Sequence, residues 1–226
     1  MSNLNTIVSF LASLQLQPHL ARIKTIEMDL RGNLNPTVWL NRTFFEQQRY
    51  LGFHDFFVYY VTQNEMALRQ NFRHIHWNEL LQGLEARLYR TQFGMLTEYH
   101  AFFLCQHLLG ETVVQRNTDL DKFGVDFQVF FSSQTYNVHI FVDTQRAWFF
   151  RNQKIQHKQS NKLAGFHVNL PYSLAANRFN SLQFLPNGFG IYRESYIHYL
   201  QQEINDGRIQ NGNIIGTTAT GFVYRT

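Results

Sequence analysis

Three acids in this chain have types and spacing that suit metal chemistry. Two lie in "KFGVDFQVFFSSQTYNVHIFVDTQ", Lys122 to Gln145, where two apolar runs flank a polar turn and each run carries one aspartate. Aspartate is depleted in strands, so its place here asks for a reason. Strand side chains alternate faces. Val125, Phe127, Val129 and Phe131 therefore share one face, and Asp126, Gln128 and Phe130 the other. In the second run Val138, Ile140 and Val142 oppose His139, Phe141, Asp143 and Gln145. A turn centred between Gln134 and Thr135 sets Asp126 directly opposite Asp143, with Cβ atoms about 4.5–5.5 Å apart. Like charges that close repel unless a cation lies between them. Paired carboxylates suit Mg²⁺, a hard ion that takes oxygen ligands and keeps several waters.

Glu98 is the third acid. In "GMLTEYHAFFLCQHLLG" it falls three residues after Met95, four before Phe102 and seven before Cys105, on the apolar stripe of a helix. Inward glutamates are uncommon unless paired or coordinating. Bland roles compete with each reading. Asp143 suits the N-cap of a helix starting at "DTQRAW", Asp126 suits a solvated strand face, and Glu98 suits an ion pair with Arg87 or Arg90.

A helix glutamate, a strand with Gly-Val-Asp, a turn, and a strand ending in a second acid resembles the PD-(D/E)XK nuclease superfamily, which includes most Type II restriction endonucleases. On that resemblance Asp126 matches the first acid, Asp143 the second and Glu98 the helix acid. Gln145 stands in the place of the usual lysine, and Val125 where a proline often stands. Glutamine is a tolerated variant in some members. Lys154 or Lys158 is a candidate substitute for the lysine. The resemblance covers about residues 95–160.

The resemblance implies a Mg²⁺-dependent endonuclease cutting double-stranded DNA, with the metal on Asp126 and Asp143. A metal so held lowers the pKa of a bound water for in-line attack. A cation such as Arg146 would stabilise the charge that builds on phosphorus. Arg151, Lys154, Lys158 and Lys162 recur at spacings of 3, 4 and 4, which on a helix gives one basic stripe for the DNA backbone. The alternative is an inactive nucleic-acid-binding or assembly protein on the same fold.

The elements that must position these residues follow from the remaining pattern. The expected fold is α/β (α+β), a restriction-endonuclease-like core of mixed sheet flanked by helices. One domain is expected over residues 1–226. It comprises a mainly helical part (1–94), the candidate catalytic core (95–162) and a mixed strand and helix part (163–226). Residues 77–109 read as helical, with Gly94 as a junction and Gly110 as the C-cap. "FHVNLPYSL" and "SLQFLPNGFGIY" read as strands, "ESYIHYLQQEIND" as a helix, and the tail as a hairpin or edge strand.

Composition narrows the function class. The 226 residues are 44% hydrophobic, 16% aromatic and only 16% charged, with a net charge of +4. That argues for a folded core and is compatible with a polyanionic partner. The single Cys105 excludes an intrachain disulfide and reads as a core residue. No run of about 18 apolar residues appears, so a cytoplasmic protein without a membrane partner is expected. A symmetric homodimer follows if the DNA target is palindromic. The amide- and aromatic-rich N-terminal part, or the loops around "LPNGFGIY", would read the DNA. The pair His74 and His76 lacks further ligands at metal spacing. "GFGIYRESYIHY" echoes the GIY-YIG nuclease signature, but its spacing is too short and no glycine follows Ile197.

Overall fold

The computed structural model describes residues 3–17, 26, 30–117, 119–156, 163–174, 179–215, 217–218 and 221–222. The chain divides into two compact units. One comprises Met1–Val8, Thr97–Leu185 and Gly190–Thr226, and the other Ser9–Leu96 with Pro186–Phe189.

The second unit is helical. α1 (Asn3–Ser13) ends in it, and α2 (Pro36–Asn41), α3 (Phe53–Asn71) and the first part of α4 (Trp77–Leu109) follow. Asn35 starts α2 by accepting the Thr37 N–H, and Pro36 takes the first helical position, where no N–H is needed. A π-helical turn, Arg42–Glu46, continues from α2. Tyr60, Phe56, Leu68, Leu80 and Leu84 are fully buried. The Tyr60 hydroxyl donates to the Leu34 carbonyl, and burial pushes its pKa up despite the Arg87 charge. α4 runs unbroken through Gly94, which corrects the expected junction. One glycine costs about 1 kcal/mol in a helix, which the buried neighbours Met95, Leu96 and Gln92 outweigh. Gly110, at φ +109°, ends α4 as expected.

The first unit is built on a five-stranded mixed sheet in the order β1-β2-β3-β4-β7. β1 (Val114–Gln115), β2 (Phe127–Phe131) and β3 (Gln134–Val142) run antiparallel. α5 (Gln145–Gln156) crosses to β4 (Phe166–Tyr172), parallel to β3, and β7 (Asn213–Ile214) adds a parallel edge. β5 (Leu182–Phe184) and β6 (Gly190–Tyr192) form a hairpin, α6 (Glu194–Asn205) follows, and β8 (Thr217–Thr218) pairs β9 (Gly221–Phe222). The α/β architecture with helices in the N-terminal part is thus the expected one.

The hairpin closes earlier than the sequence suggests. Ser132 and Ser133 both adopt left-handed backbone, at φ 47° and 64°, and Phe131 pairs with Gln134. Two left-handed central residues match the twist of the flanking strands. The register then sets Phe127 against Val138, so Asp126 and Asp143 are not cross-strand partners. The expected direct opposition of Asp126 and Asp143 is overturned by that two-residue turn.

The sheet has one apolar and one polar face. Phe127, Val129, Tyr136, Val138, Val168 and Leu170 are buried, with Phe127 against Phe102 of α4. Gln128, Asn137, His139, His167 and Asn169 alternate with them. Gln128 donates to Asn137, which donates to the Ala164 carbonyl. Gly165 leads into β4 at φ +109°, where any Cβ would collide with the Thr135 carbonyl.

Candidate active site

Asp126 sits where β2 begins. The Leu120–Phe123 turn precedes it, the Val125 N–H closes on the Leu120 carbonyl, and Gly124 takes φ +66°. The Asp126 N–H donates to Val138, and its Oδ2 accepts the Ile140 N–H at 2.5 Å. A carboxylate oxygen thereby replaces the carbonyl that β2 would otherwise offer β3. Such a charge-assisted bond fixes the side chain. Asp126 is half-buried.

Asp143 follows the end of β3. Its N–H donates to the Tyr172 carbonyl, and its Oδ1 accepts the Trp148 Nε1–H at 2.7 Å. The indole is held edge-on to Phe141. The N-cap role falls to Thr144 instead, whose Oγ1 accepts the Ala147 N–H. Gln145 opens α5 and is exposed, as is Arg146, which lies 5.6 Å over the Phe150 ring.

Glu98 is half-buried on α4. Its charge and that of Asp126 both act on the hydroxyls of Tyr172 and Tyr192. Burial raises the Tyr172 pKa first and these anions next, whereas at Tyr192 burial is followed by Tyr196 and Tyr172 and only then by the two anions. The neighbouring Tyr196 is raised by burial, then by Glu203 and Asp143. Tyr192 donates to the Leu170 carbonyl and Tyr196 to the Ile215 carbonyl. The charges of the three acids singled out in the sequence thus act on one buried tyrosine cluster, near the C-terminal ends of the parallel strands β3 and β4. Ligands of open α/β sheets gather at such strand ends. His100 accepts the Tyr192 N–H through Nδ1, and burial lowers its pKa to about 4.

The basic residues divide. Arg151 is buried, not part of an exposed stripe, and its Nε donates to Asn169 Oδ1 at 2.9 Å. Burial lowers its pKa to about 10, with the Asp126 charge opposing the shift. Lys154 lies on α5, and Lys158 and Lys162 lie outside the described residues.

Sequence reasoning missed a pair of histidines behind Asp126. His139 Nδ1 donates to the Gly124 carbonyl at 2.6 Å. A carbonyl only accepts, so in a neutral ring Nε2 accepts from His167 Nδ1, at 2.8 Å. The matching parity of "YNVHIFV" and "FHVNL" was the available signal. Cys105 is buried, as expected, and burial pushes its thiol pKa up.

Among the described residues no three His, Cys, Asp or Glu side chains form a metal-binding group. Mg²⁺ needs only one or two carboxylates, with waters and substrate phosphate as its other ligands. Asp126, Asp143 and Glu98 are hard oxygen donors whose charges act on one tyrosine cluster, and their chemistry fits that requirement. No helix among the described residues is long and apolar enough to cross a membrane.

The family model for the TaqI restriction endonuclease matches residues 4–179. The chain is 27% identical over 231 residues to the Type II restriction enzyme TaqI of Thermus aquaticus. It is 28% identical over 235 residues to the Type II restriction enzyme TthHB8I of Thermus thermophilus. Each alignment covers 88% of this chain and 86% of the relative. No solved structure matches significantly.

Proposed function

Because the chain belongs to the TaqI restriction endonuclease family, we propose that it is a Mg²⁺-dependent Type II restriction enzyme that hydrolyses phosphodiester bonds in double-stranded DNA. The observation that carries this reading is the family match over residues 4–179, which contains Glu98, Asp126 and Asp143, three acids whose charges act on one buried tyrosine cluster. The PD-(D/E)XK pattern supplies the roles.

Asp126 and Asp143 would hold the metal, with Glu98 as the further acid of the site. Bound there, Mg²⁺ would polarise the scissile phosphate and lower the pKa of a coordinated water. Asp126 keeps its orientation through the Ile140 N–H, and Asp143 keeps its own through Trp148. Gln145, where a lysine is usual, cannot carry a proton at neutral pH. Its amide orients the attacking water by hydrogen bonding. Arg146, exposed one residue further on, meets the phosphate charge that builds in the transition state. Lys154, Lys158 and Lys162 extend positive charge along the DNA backbone. Two copies acting symmetrically suit a palindromic target.

Plasmid DNA incubated with the protein and Mg²⁺ should yield discrete fragments. Those fragments should disappear with Asp126→Ala and with Asp143→Ala. Intact plasmid bound in a salt-sensitive way would favour an inactive DNA-binding protein, and no binding would remove both readings.

A further inference from the structure

We infer that the helical unit carries its own contact surface for the phosphate backbone of duplex DNA, centred on Arg42 and Arg49. The inference deepens the proposed function and rests on it, but concerns residues outside the candidate active site. The helical unit comprises Ser9–Leu96 and Pro186–Phe189.

Three arginines of this unit lie over aromatic rings. Arg42 lies 5.8 Å over Trp39, Arg49 lies 5.3 Å over Tyr59, and Arg69 lies 3.8 Å over Trp77. They differ in what neutralises them. Arg69 donates through Nε to Glu65 at 2.8 Å. Arg42 and Arg49 are exposed and have no ion pair among the described residues, although Glu46 is exposed on the same turn.

Both unpaired arginines stand over one aromatic group. Trp39 and Tyr59 meet edge to face at 5.9 Å, and the Trp39 indole N–H is fixed on the Asn33 carbonyl. Cation–π attraction holds a guanidinium over its ring and leaves N–H groups for a planar or tetrahedral oxyanion. The ordering cost of contact is thereby lowered before any ligand arrives.

The backbone between the arginines is built to hold this placement. The Gln47 N–H bonds the Arg42 carbonyl in a π-type turn, and the Arg49 N–H returns to the Thr43 carbonyl at 2.8 Å. The Thr43 hydroxyl sits on the Trp39 and Leu40 carbonyls. Gln48 adopts φ +52°, a conformation that costs energy in a residue other than glycine. π-turns and left-handed residues recur at functional sites. Exposed Gln47 and Gln48 add amide donors beside the two cations.

The test is the salt dependence of binding to a labelled mixed-sequence duplex in EDTA, with the full chain, between about 50 and 200 mM KCl. R42Q/R49Q should lower the slope of log affinity against log salt by about 0.9 per arginine, alike for all sequences. R42K/R49K should keep most of the slope, and R69Q, whose partner is Glu65, should leave it unchanged. Helical circular dichroism reports whether each variant is folded. If the double glutamine variant unfolds, R42Q and R49Q are read singly, with the same expected loss for each. A wild-type slope in folded R42Q/R49Q, or in the singles, overturns the inference, as does an equal loss in R69Q. Should that happen while Mg²⁺-dependent cleavage persists, the nuclease reading stands and this surface alone fails. A wild-type protein without salt-dependent duplex binding sinks both.

Discussion

The Asp126 carboxylate accepts the backbone N–H of Ile140, from the strand beside its own. One side chain thus closes the β2–β3 ladder and is aimed by it. Asp126→Asn retains an oxygen acceptor and loses the charge, whereas Asp126→Ala loses both. The Asn variant should unfold near the wild-type urea midpoint, and the Ala variant should be about 1–3 kcal/mol less stable because the N–H loses its partner. Cleavage should fall at least about a hundredfold in both, more than for typical supporting residues of metal sites. Midpoints and initial cleavage rates measured together separate the two roles. An active Asn variant would remove Asp126 from the chemistry.

Trp148 offers a test of Asp143 from one step away. Trp148→Phe keeps a ring near Phe141 and deletes the indole N–H that Asp143 accepts. Loss of such an orienting bond should lower cleavage about 10–100-fold with a stability cost of about 1 kcal/mol. Cleavage titrated against Mg²⁺ should shift to higher metal concentration. An unchanged titration would mean that Asp143 acts only as a structural residue.

Gly165 is required by geometry, not chemistry. It takes φ +109°, and a Cβ would collide with the Thr135 carbonyl. Gly165→Ala therefore combines backbone strain with a backbone clash, and should cost at least about 1–3 kcal/mol. Denaturant unfolding measures this directly. The loss should appear equally without Mg²⁺, since the strain belongs to the fold.

These residues also show what the sequence could reveal. Alternation in "FGVDFQVFF" and "YNVHIFV" is local, so the two strands and their apolar faces were legible. Register was not, because it depends on Ser132 and Ser133 adopting left-handed backbone without a glycine to announce it. Gly94 read as a break, but packing along α4 overrides one weak helix former. Arg151 continued an apparent basic stripe, yet it turns inward to Asn169, an acceptor 18 residues away that no helical spacing could foretell. Glu98 and Asp126 were singled out separately, and only the fold brings their charges to the same tyrosines.

The last prediction concerns acid stability and follows from His100. Its Nδ1 accepts the Tyr192 N–H, so the neutral ring is the one that fits. Burial lowers its folded pKa from 6.5 to about 4. The unfolded chain therefore binds the proton more readily, and stability falls as pH drops from about 6.5 towards 4. Below that window both states are protonated and the contribution is lost. A shift of this size corresponds to about 3 kcal/mol. His100→Gln offers an amide oxygen to the same N–H and does not titrate. Unfolding free energy of the variant should decline less steeply between pH 6.5 and 4 than that of the wild type. Parallel profiles would show that the acid sensitivity arises elsewhere.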